Sequence, residues 1–236
     1  MVELTQRSLE PELLDIERPA PDRLERFYRF LEFVNAFLGG TRAVRRTLEQ
    51  FSKRWTKDQT FWILDVASGS ADVPRALVCW ARRRGYALKI VALDREEDTL
   101  EFARRRLKKY PEILLVQGRV ETLPFREECF DYVISNLFFH HLQEEEVLQA
   151  IGRFDRLARR GVVINDLLRK QRLYWWTGLL SLFCEPLLRH DNLLSVRKAF
   201  TLSEIEALRR QAGLRYLHLH TTFGHRFVLA GEKGSS

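Results

Sequence analysis

Cysteine is scarce and unpatterned in this chain: Cys79, Cys129 and Cys184 are three in 236 residues, scattered, with no C-x-x-C. That spacing excludes a disulfide framework and a cysteine-based zinc site, and no metal is expected. No apolar run approaches the ~20 residues that a bilayer requires. No stretch has the G-x-G-x-x-G spacing of a nicotinamide fingerprint, and no internal repeat stands out. The first residues are too acidic and too mixed for a signal peptide, so a reducing, cytoplasmic setting is expected.

What is there suits one sizeable α/β domain with an added segment. The chain is 45% hydrophobic and 30% charged, enough to bury a large core. Its net charge of +7 is compatible with an anionic substrate, nucleic acid or an acidic membrane surface. The arginine clusters at 82–84, 104–106 and 209–210 fall on outer helices without interleaved aromatics. They read as solvated faces, and no nucleic-acid partner is expected.

Residues 1–22 are polar and hold three of the seven prolines, which reads as a flexible arm. Residues 23–59 read as a helical N-terminal cap. A helix starts at Arg23 behind Asp22 and carries Leu24, Phe27, Tyr28, Leu31, Val34 and Leu38 at helical spacing. Gly39-Gly40 stops it, and a second helix starts at Thr41. Residues 60–231 alternate strands and helices. Strands are expected over Thr60–Val66, Lys89–Asp94, Ile113–Gln117, Phe130–Asn136 and Gly161–Asn165, with a closing pair over Arg215–Thr221 and Arg226–Ala230. Helices are expected over Val73–Arg84, Glu97–Lys109, Glu144–Leu157 and from Thr201 to Ala212. Thr201-Leu-Ser-Glu204 is a capping box, and Gly213 stands where a left-handed terminator belongs. The tail from Gly231 reads as disordered. Asp166–Phe200 reads as irregular.

The organising stretch is Phe61-Trp-Ile-Leu-Asp65-Val-Ala67-Ser-Gly69-Ser-Ala71-Asp72: an apolar run ending in an acid, a turn of small residues, then a helix. Lys89–Asp94 is a second run ending in an acid, and Cys129–Asn136 a third, leading to His140-His141. As an ordered set these runs resemble the class I S-adenosylmethionine-dependent methyltransferases. The resemblance is closer to the small-molecule, type 11-like branch that includes the ubiquinone/menaquinone C-methyltransferases. It covers about Thr60 to Asp166. It implies a Rossmann-like three-layer sandwich: a mostly parallel seven-stranded sheet with one antiparallel strand, capped by N-terminal helices and by a segment between the fifth strand and the last helix.

The resemblance further implies S-adenosyl-L-methionine as cofactor. Asp65, Ala67, Ser68 and Gly69 match the motif that holds its amino-acid end. Asp94, beside Arg95, matches the acid that accepts the ribose diol; capping the next helix is the other reading of Asp94. Gly118, Arg119 and Val120 match the adenine loop, and Asn136 closes the third run at the cleft. Three positions depart from the pattern. Ala67 and Ala71 stand where glycine is usual, and the first fits if its backbone angles stay negative. Arg119 stands where an acid would read the adenine amino group, and arginine has no acceptor, so a backbone carbonyl or Glu121 must serve.

Methyl transfer is an in-line displacement that needs positioning, exclusion of water and, for a phenol or activated carbon, a base. His140, His141 and His190 are the candidate bases; a structural role for the His140-His141 pair, and a chance adjacency for His190-Asp191, are the plainer readings. Leu173–Cys184, with Trp175 and Trp176, is apolar and flanked by Arg169, Lys170, Arg172 and Arg189. Residues 167–200 therefore read as a lid over the acceptor, with a membrane-surface helix through 167–190 as second reading and core packing as third. Tyr28, Trp175, Trp176, Arg189 and Arg197 are the candidate acceptor contacts. The prolines of base-amino methyltransferases are absent after Asn136, where the chain reads Leu-Phe138-Phe139. A small apolar acceptor, aromatic, polyketide- or isoprenoid-like, is therefore expected. A non-catalytic scaffold and a nicotinamide-dependent oxidoreductase stay open as alternatives, and the oligomeric state is not legible.

Overall fold

The computed structural model describes residues 4–13 and 21–234. Seven strands form one sheet in the order β3-β2-β1-β4-β5-β7-β6. They are β1 (Thr60–Val66), β2 (Ala87–Asp94), β3 (Ile113–Gln117), β4 (Phe130–Asn136), β5 (Ala158–Leu167), β6 (His218–Thr222) and β7 (Arg226–Glu232). β1 to β5 are parallel, and β7 runs antiparallel to both β5 and β6. This is the expected Rossmann-like sheet. Its order reverses between β1 and β4, the place where such sheets open a crevice beyond their carboxyl ends.

The sheet strands are apolar on both faces because helices cover both. One face packs α5 (Glu144–Leu157) and α8 (Leu202–Ala212) through Phe154, Ile151, Ile205 and Leu208. The other packs α2 (Gly40–Phe51) and α3 (Asp72–Arg84) through Val44, Leu48, Leu77 and Val78. Each fully buried Leu, Ile or Phe of these layers contributes about 1.5–3 kcal/mol. Asp131, buried under β4, is held by Trp62 N at 2.8 Å and Arg160 Nε at 3.1 Å. α4 (Glu97–Arg106) follows β2.

Several boundaries move. α1 (Pro21–Phe37) includes Asp22, which therefore does not cap it from outside. Gly39 is left-handed at φ 78°, and α2 starts at Gly40 rather than Thr41. β5 is ten residues long, not five, because its antiparallel pairing with β7 runs from Gly161 to Leu167. β6 begins only at His218. β7 continues to Glu232, so Gly231, expected in a disordered tail, is a paired strand residue; residues 235 and 236 lie outside the described residues. The Thr201–Glu204 capping box and the left-handed Gly213 are present.

The segment expected to be irregular is two helices, α6 (Gln171–Leu180) and α7 (Pro186–Lys198), joined by a short 3-10 turn at Ser181–Phe183. Pro186 at the first turn of α7 explains both the break and the restart. α1 and α2 divide the roles foreseen for the N-terminal helices. α1 lines the cleft above the sheet, while α2 is buried against it. Residues 4–13, expected as part of a loose arm, lie along α7: Ser8 N donates to Arg197 O (3.1 Å) and Leu13 N to Asp191 Oδ1 (2.9 Å). Among the described residues, no helix is long and apolar enough to cross a membrane.

Candidate cofactor and acceptor cleft

The carboxyl ends of β1, β2 and β4 open into a cleft of about 650 Å³. Its floor starts with the turn after β1. Ala67, Gly69 and Ala71 all have positive φ, at 56°, 56° and 57°. The negative angles expected for Ala67 are therefore not those adopted: two alanines accept a left-handed conformation that costs an L-residue roughly 1–2 kcal/mol. The turn is pinned in return. Ser68 N donates to Leu93 O (2.9 Å), Ser68 Oγ to Asp65 Oδ2 (2.6 Å) and Gly69 N to Asp94 Oδ2 (2.8 Å).

Those bonds sort the expected cofactor residues. Asp65 and Ser68 are buried beneath the turn and bond each other; Ala67 and Gly69 face the cleft. Burial, with Asp72 and Asp94 nearby, pushes the Asp65 carboxyl up to about 8. Asp94 also lines the cleft, its other oxygen accepting from Glu96 N at 3.1 Å. Glu96, not Asp94, is the cap residue of α4; Asp94 braces it from two residues before, and its carboxylate, which burial raises above its ordinary pKa, also faces the cleft. Each carboxylate oxygen retains a lone pair, so a ribose diol fits against it. Arg95, Gly118, Arg119, Val120 and Glu121 line the same end. Arg119 pairs with Glu121 at 3.4 Å, which places an acceptor beside the arginine. Tyr28 stacks on Phe102 (5.4 Å), bonds Thr99 and stands nearest to Gly69, so it belongs to this end and not to the acceptor end. Asn136 is buried, bonded to Asn35 and Asn165.

At the other end, a short turn at Phe139–His141 brings His140 and His141 to the wall, with ring centroids 4.2 Å apart. His140 Nδ1 lies 2.8 Å from Asp166 Oδ1, and His140 N donates to Asp166 Oδ2 at 2.9 Å. Burial works to raise the Asp166 carboxyl. The charge of His140, its ring hydrogen bond and the N–H groups of Leu167 and His140 outweigh that and hold it below its ordinary value. The carboxylate fixes the ring, leaving Nε2 as the nitrogen available to a ligand. His141 is held well below its ordinary pKa, first by burial and then by the charges of His140, Lys198, Arg95 and Arg7. It is neutral at pH 7.

Glu12, His140 and His141 bring ligand-type atoms within 4.8 Å of one another. A cation is poorly served there. The Lys198 ammonium stands 3.5 Å from Glu12 and repels one, and Glu12 Oε1 also accepts from Ser195 Oγ (3.0 Å).

The remaining expected residues lie elsewhere. His190, with a side chain 48% exposed, touches its neighbour Asp191 at 3.2 Å and does not line the cleft, whereas Asp191 does. Arg189 is exposed, and Arg197 pairs with Glu10 at 3.4 Å. Trp175 and Trp176 are 59% and 51% exposed; it is Thr177 that meets the cleft. On α6 the indoles take the outer face because Leu173 occupies the inner one. Sequence reasoning missed Asp166, Ser195, Lys198, Arg7 and Arg226. Asp166 alone carried a signal, being a third acid at the carboxyl end of a parallel strand after Asp65 and Asp94.

Residues 63–161, the span from β1 into β5, match a family model described as a methyltransferase domain. The match covers less than half of the chain. It holds the small-residue turn, Asp94, residues 118–120 and His140-His141, but neither α6 and α7 nor Asp166. Curated relatives match over similar spans. The demethylmenaquinone methyltransferase of Lysinibacillus sphaericus is 29% identical over 101 residues, 43% of this chain and 41% of that one. The ubiquinone/menaquinone biosynthesis C-methyltransferase UbiE of Wigglesworthia glossinidia brevipalpis is 31% identical over 87 residues, 36% of this chain and 34% of that one. The chain thus spans about two fifths of the length of the curated relatives it matches. Around the matched span the fold itself is shared more widely. A SAM-dependent methyltransferase from Aquifex aeolicus superposes with TM-score 0.62 at 15% identity, over 91% of this chain and 99% of that one. Magnesium protoporphyrin IX methyltransferase from Synechocystis, a structure with bound SAH, gives 0.61 at 15%, over 89% and 93%.

Proposed function

We propose that the chain is an S-adenosylmethionine-dependent methyltransferase acting on a small apolar acceptor that must lose a proton, such as a phenol or an activated ring carbon. The observation that carries the reading is the buried Asp166–His140 pair in the same cleft as Asp94. The bound cofactor supplies an electrophilic methyl group on a sulfonium. Asp94 accepts the ribose diol, and the Tyr28 ring and the turn at Ala67–Gly69 shape the nucleoside end. His140 Nε2 takes the acceptor proton, while Asp166 stabilises the imidazolium that forms. α1, α7 and the docked residues 4–13 cover the cleft and keep water from the nucleophile.

The test is calorimetric titration with S-adenosylmethionine and S-adenosylhomocysteine, with NAD as control, then transfer of labelled methyl to a panel of quinols and phenols. Micromolar binding of the first two, and a transfer rate lowered about 1,000-fold in Asp166→Asn at unchanged cofactor affinity, are expected. Binding of neither compound would favour a non-catalytic partner protein.

The apolar character of the acceptor has a second support. Trp175, Trp176, Leu179 and Leu182 form an exposed apolar face, each residue 49% exposed or more, flanked by Lys170, Arg172 and Arg189. A helix with that pattern lies against an acidic lipid surface. The reading is a peripheral membrane contact beside the acceptor end of the cleft, from which an isoprenoid-like acceptor enters.

A further inference from the structure

Lys198, the last residue of α7, is 6% exposed and lines the cleft. Lysine is rarely buried unless it is paired. Asp191 and Ser195 precede it at helical spacing and line the cleft as well, so α7 turns a polar face to the acceptor end.

The cover on that face is the docked segment, in which residues 4–12 form neither helix nor strand. Beyond the bonds of Ser8 N and Leu13 N, it is held by Arg7. Arg7 Nη2 donates to His140 O (2.8 Å) and Leu142 O (2.6 Å), and the guanidinium lies 3.9 Å over the Phe200 ring. Between Ser8 and Leu13, Glu12 brings a carboxylate into the cleft. Its Oε1 accepts from Ser195 Oγ (3.0 Å), stands 3.5 Å from the Lys198 ammonium and lies 3.7 Å from His141 Nδ1. It is also within 4.8 Å of a ring nitrogen of His140, the proposed base.

The three groups around that carboxylate belong to the folded body, whereas the carboxylate belongs to a segment laid over it. If the segment lifts, Ser195, His141 and the Lys198 ammonium stay where they are. A buried ammonium that loses its partner is strongly destabilised and demands another anion. The local field favours one: Lys198, Arg95 and Arg7 all act on His141 as cations. A ring that gives its proton to His140 can reach the place of Glu12 with a carboxylate carried on the same ring.

We propose that Lys198, Ser195 and His141 form a carboxylate subsite at the acceptor end, which takes the acid group of a ring-bearing acceptor, and that Glu12 fills it as a stand-in until the acceptor displaces residues 4–13. This subsite deepens the proposed acceptor reading, to an apolar body carrying one carboxylate, and rests on it. A tethered carboxylate acts at millimolar effective concentration, so an incoming one has to compete with it.

The test uses 3-hydroxybenzoate and its neutral match 3-hydroxybenzamide, titrated calorimetrically into the full chain with S-adenosylhomocysteine present. Glu12→Ala should raise affinity for the benzoate about 10-fold over wild type and leave that for the benzamide unchanged. Lys198→Met alone leaves Glu12 buried without its counter-ion, so the second variant is Glu12→Ala with Lys198→Met, which removes both charges. It should lose the whole gain for the benzoate. An equal gain for both probes in Glu12→Ala would mean that the substitution only opens space, and would overturn the subsite. So would no gain for the benzoate, or a gain that survives in the double variant. Either of these failures with S-adenosylhomocysteine bound overturns the subsite alone; wild type that binds no S-adenosylhomocysteine removes the methyl-transfer reading and the subsite's part in it.

Discussion

The two ends of the cleft are built by different means. Apart from Tyr28 of α1, the proposed nucleoside end is made of short segments between residues 60 and 121, where the strands turn directly into the site. The acceptor end gathers residues 4–13, the turn at 139–141, the end of β5 and helices α6 and α7. One end is local in sequence; the other exists only after the chain has folded. The difference teaches which function can be read early. A nucleoside pocket needs one backbone turn and one acid at fixed spacing, and both travel with the strand that carries them. The proposed acceptor pocket needs a base aligned by a distant partner, and His140 is held by Asp166, 26 residues later.

The largest effect expected at the nucleoside end is on stability. The Asp65 carboxyl sits near 8 in the folded chain, against an ordinary value of 3.8, because it is buried. The folded state therefore holds a proton that the unfolded state releases above pH 4. Stability from this group is undiminished below pH 4 and is lost as pH rises toward 8. Asp65→Asn, which cannot ionise, should match wild type near pH 4 and exceed it by roughly 5 kcal/mol near pH 8. Thermal unfolding across that range checks it. A constant gap at all pH values would mean that Asp65 is not the titrating group.

Next is Asp94→Ala. It removes both hydrogen bonds to Gly69 N and Glu96 N and the carboxylate for the diol. Affinity for S-adenosylhomocysteine should fall about 100-fold with little change in fold, as read by calorimetry and circular dichroism. If affinity is unchanged, the nucleoside end lies elsewhere and the contrast between the two ends collapses.

These two acids show how far the sequence could be read. Asp65 and Asp94 each close an apolar run, and a parallel strand buried on both faces has no other way to present an acid than at its end. The parallel sheet followed from the same alternation; the antiparallel β7 came only with the family resemblance, and the strand order was not read. Trp175, Trp176, Arg189 and Arg197 were misplaced for a physical reason. Apolar content says that a helix has a face to cover, but not which side of α6 meets Leu173 and which meets solvent. The burial of Arg226 was illegible because an arginine opening an apolar strand gives no sign of which side chains will enclose it, and only packing reveals that.

A smaller effect is expected at the acceptor end. Trp175→Gln with Trp176→Gln should weaken sedimentation with vesicles of phosphatidylglycerol about 10-fold, because each exposed indole loses its interfacial burial. Cofactor affinity should not change. Binding to vesicles of phosphatidylcholine alone that equals binding to phosphatidylglycerol would remove the role given to Lys170, Arg172 and Arg189. Loss of cofactor affinity would mean that the lid is not separate from the nucleoside end.

The smallest effect tests the turn itself. Ala67 and Ala71 are left-handed at φ 56° and 57°, a conformation glycine adopts without a Cβ clash. Ala67→Gly relieves roughly 1–2 kcal/mol in the folded state but loosens the unfolded chain by about 0.5–1 kcal/mol, so the net gain is near 0.5 kcal/mol. Ala71 is fully buried in the layer of α3, where glycine also forfeits the packing of its methyl group. Ala71→Gly should therefore be neutral or slightly destabilising. The two substitutions separate conformation from packing at positions four residues apart in one turn. Denaturant midpoints that shift equally in both would show that backbone angle alone governs the turn; the expected split shows that Ala71 is retained for the core and Ala67 only for the backbone path over which the nucleoside lies.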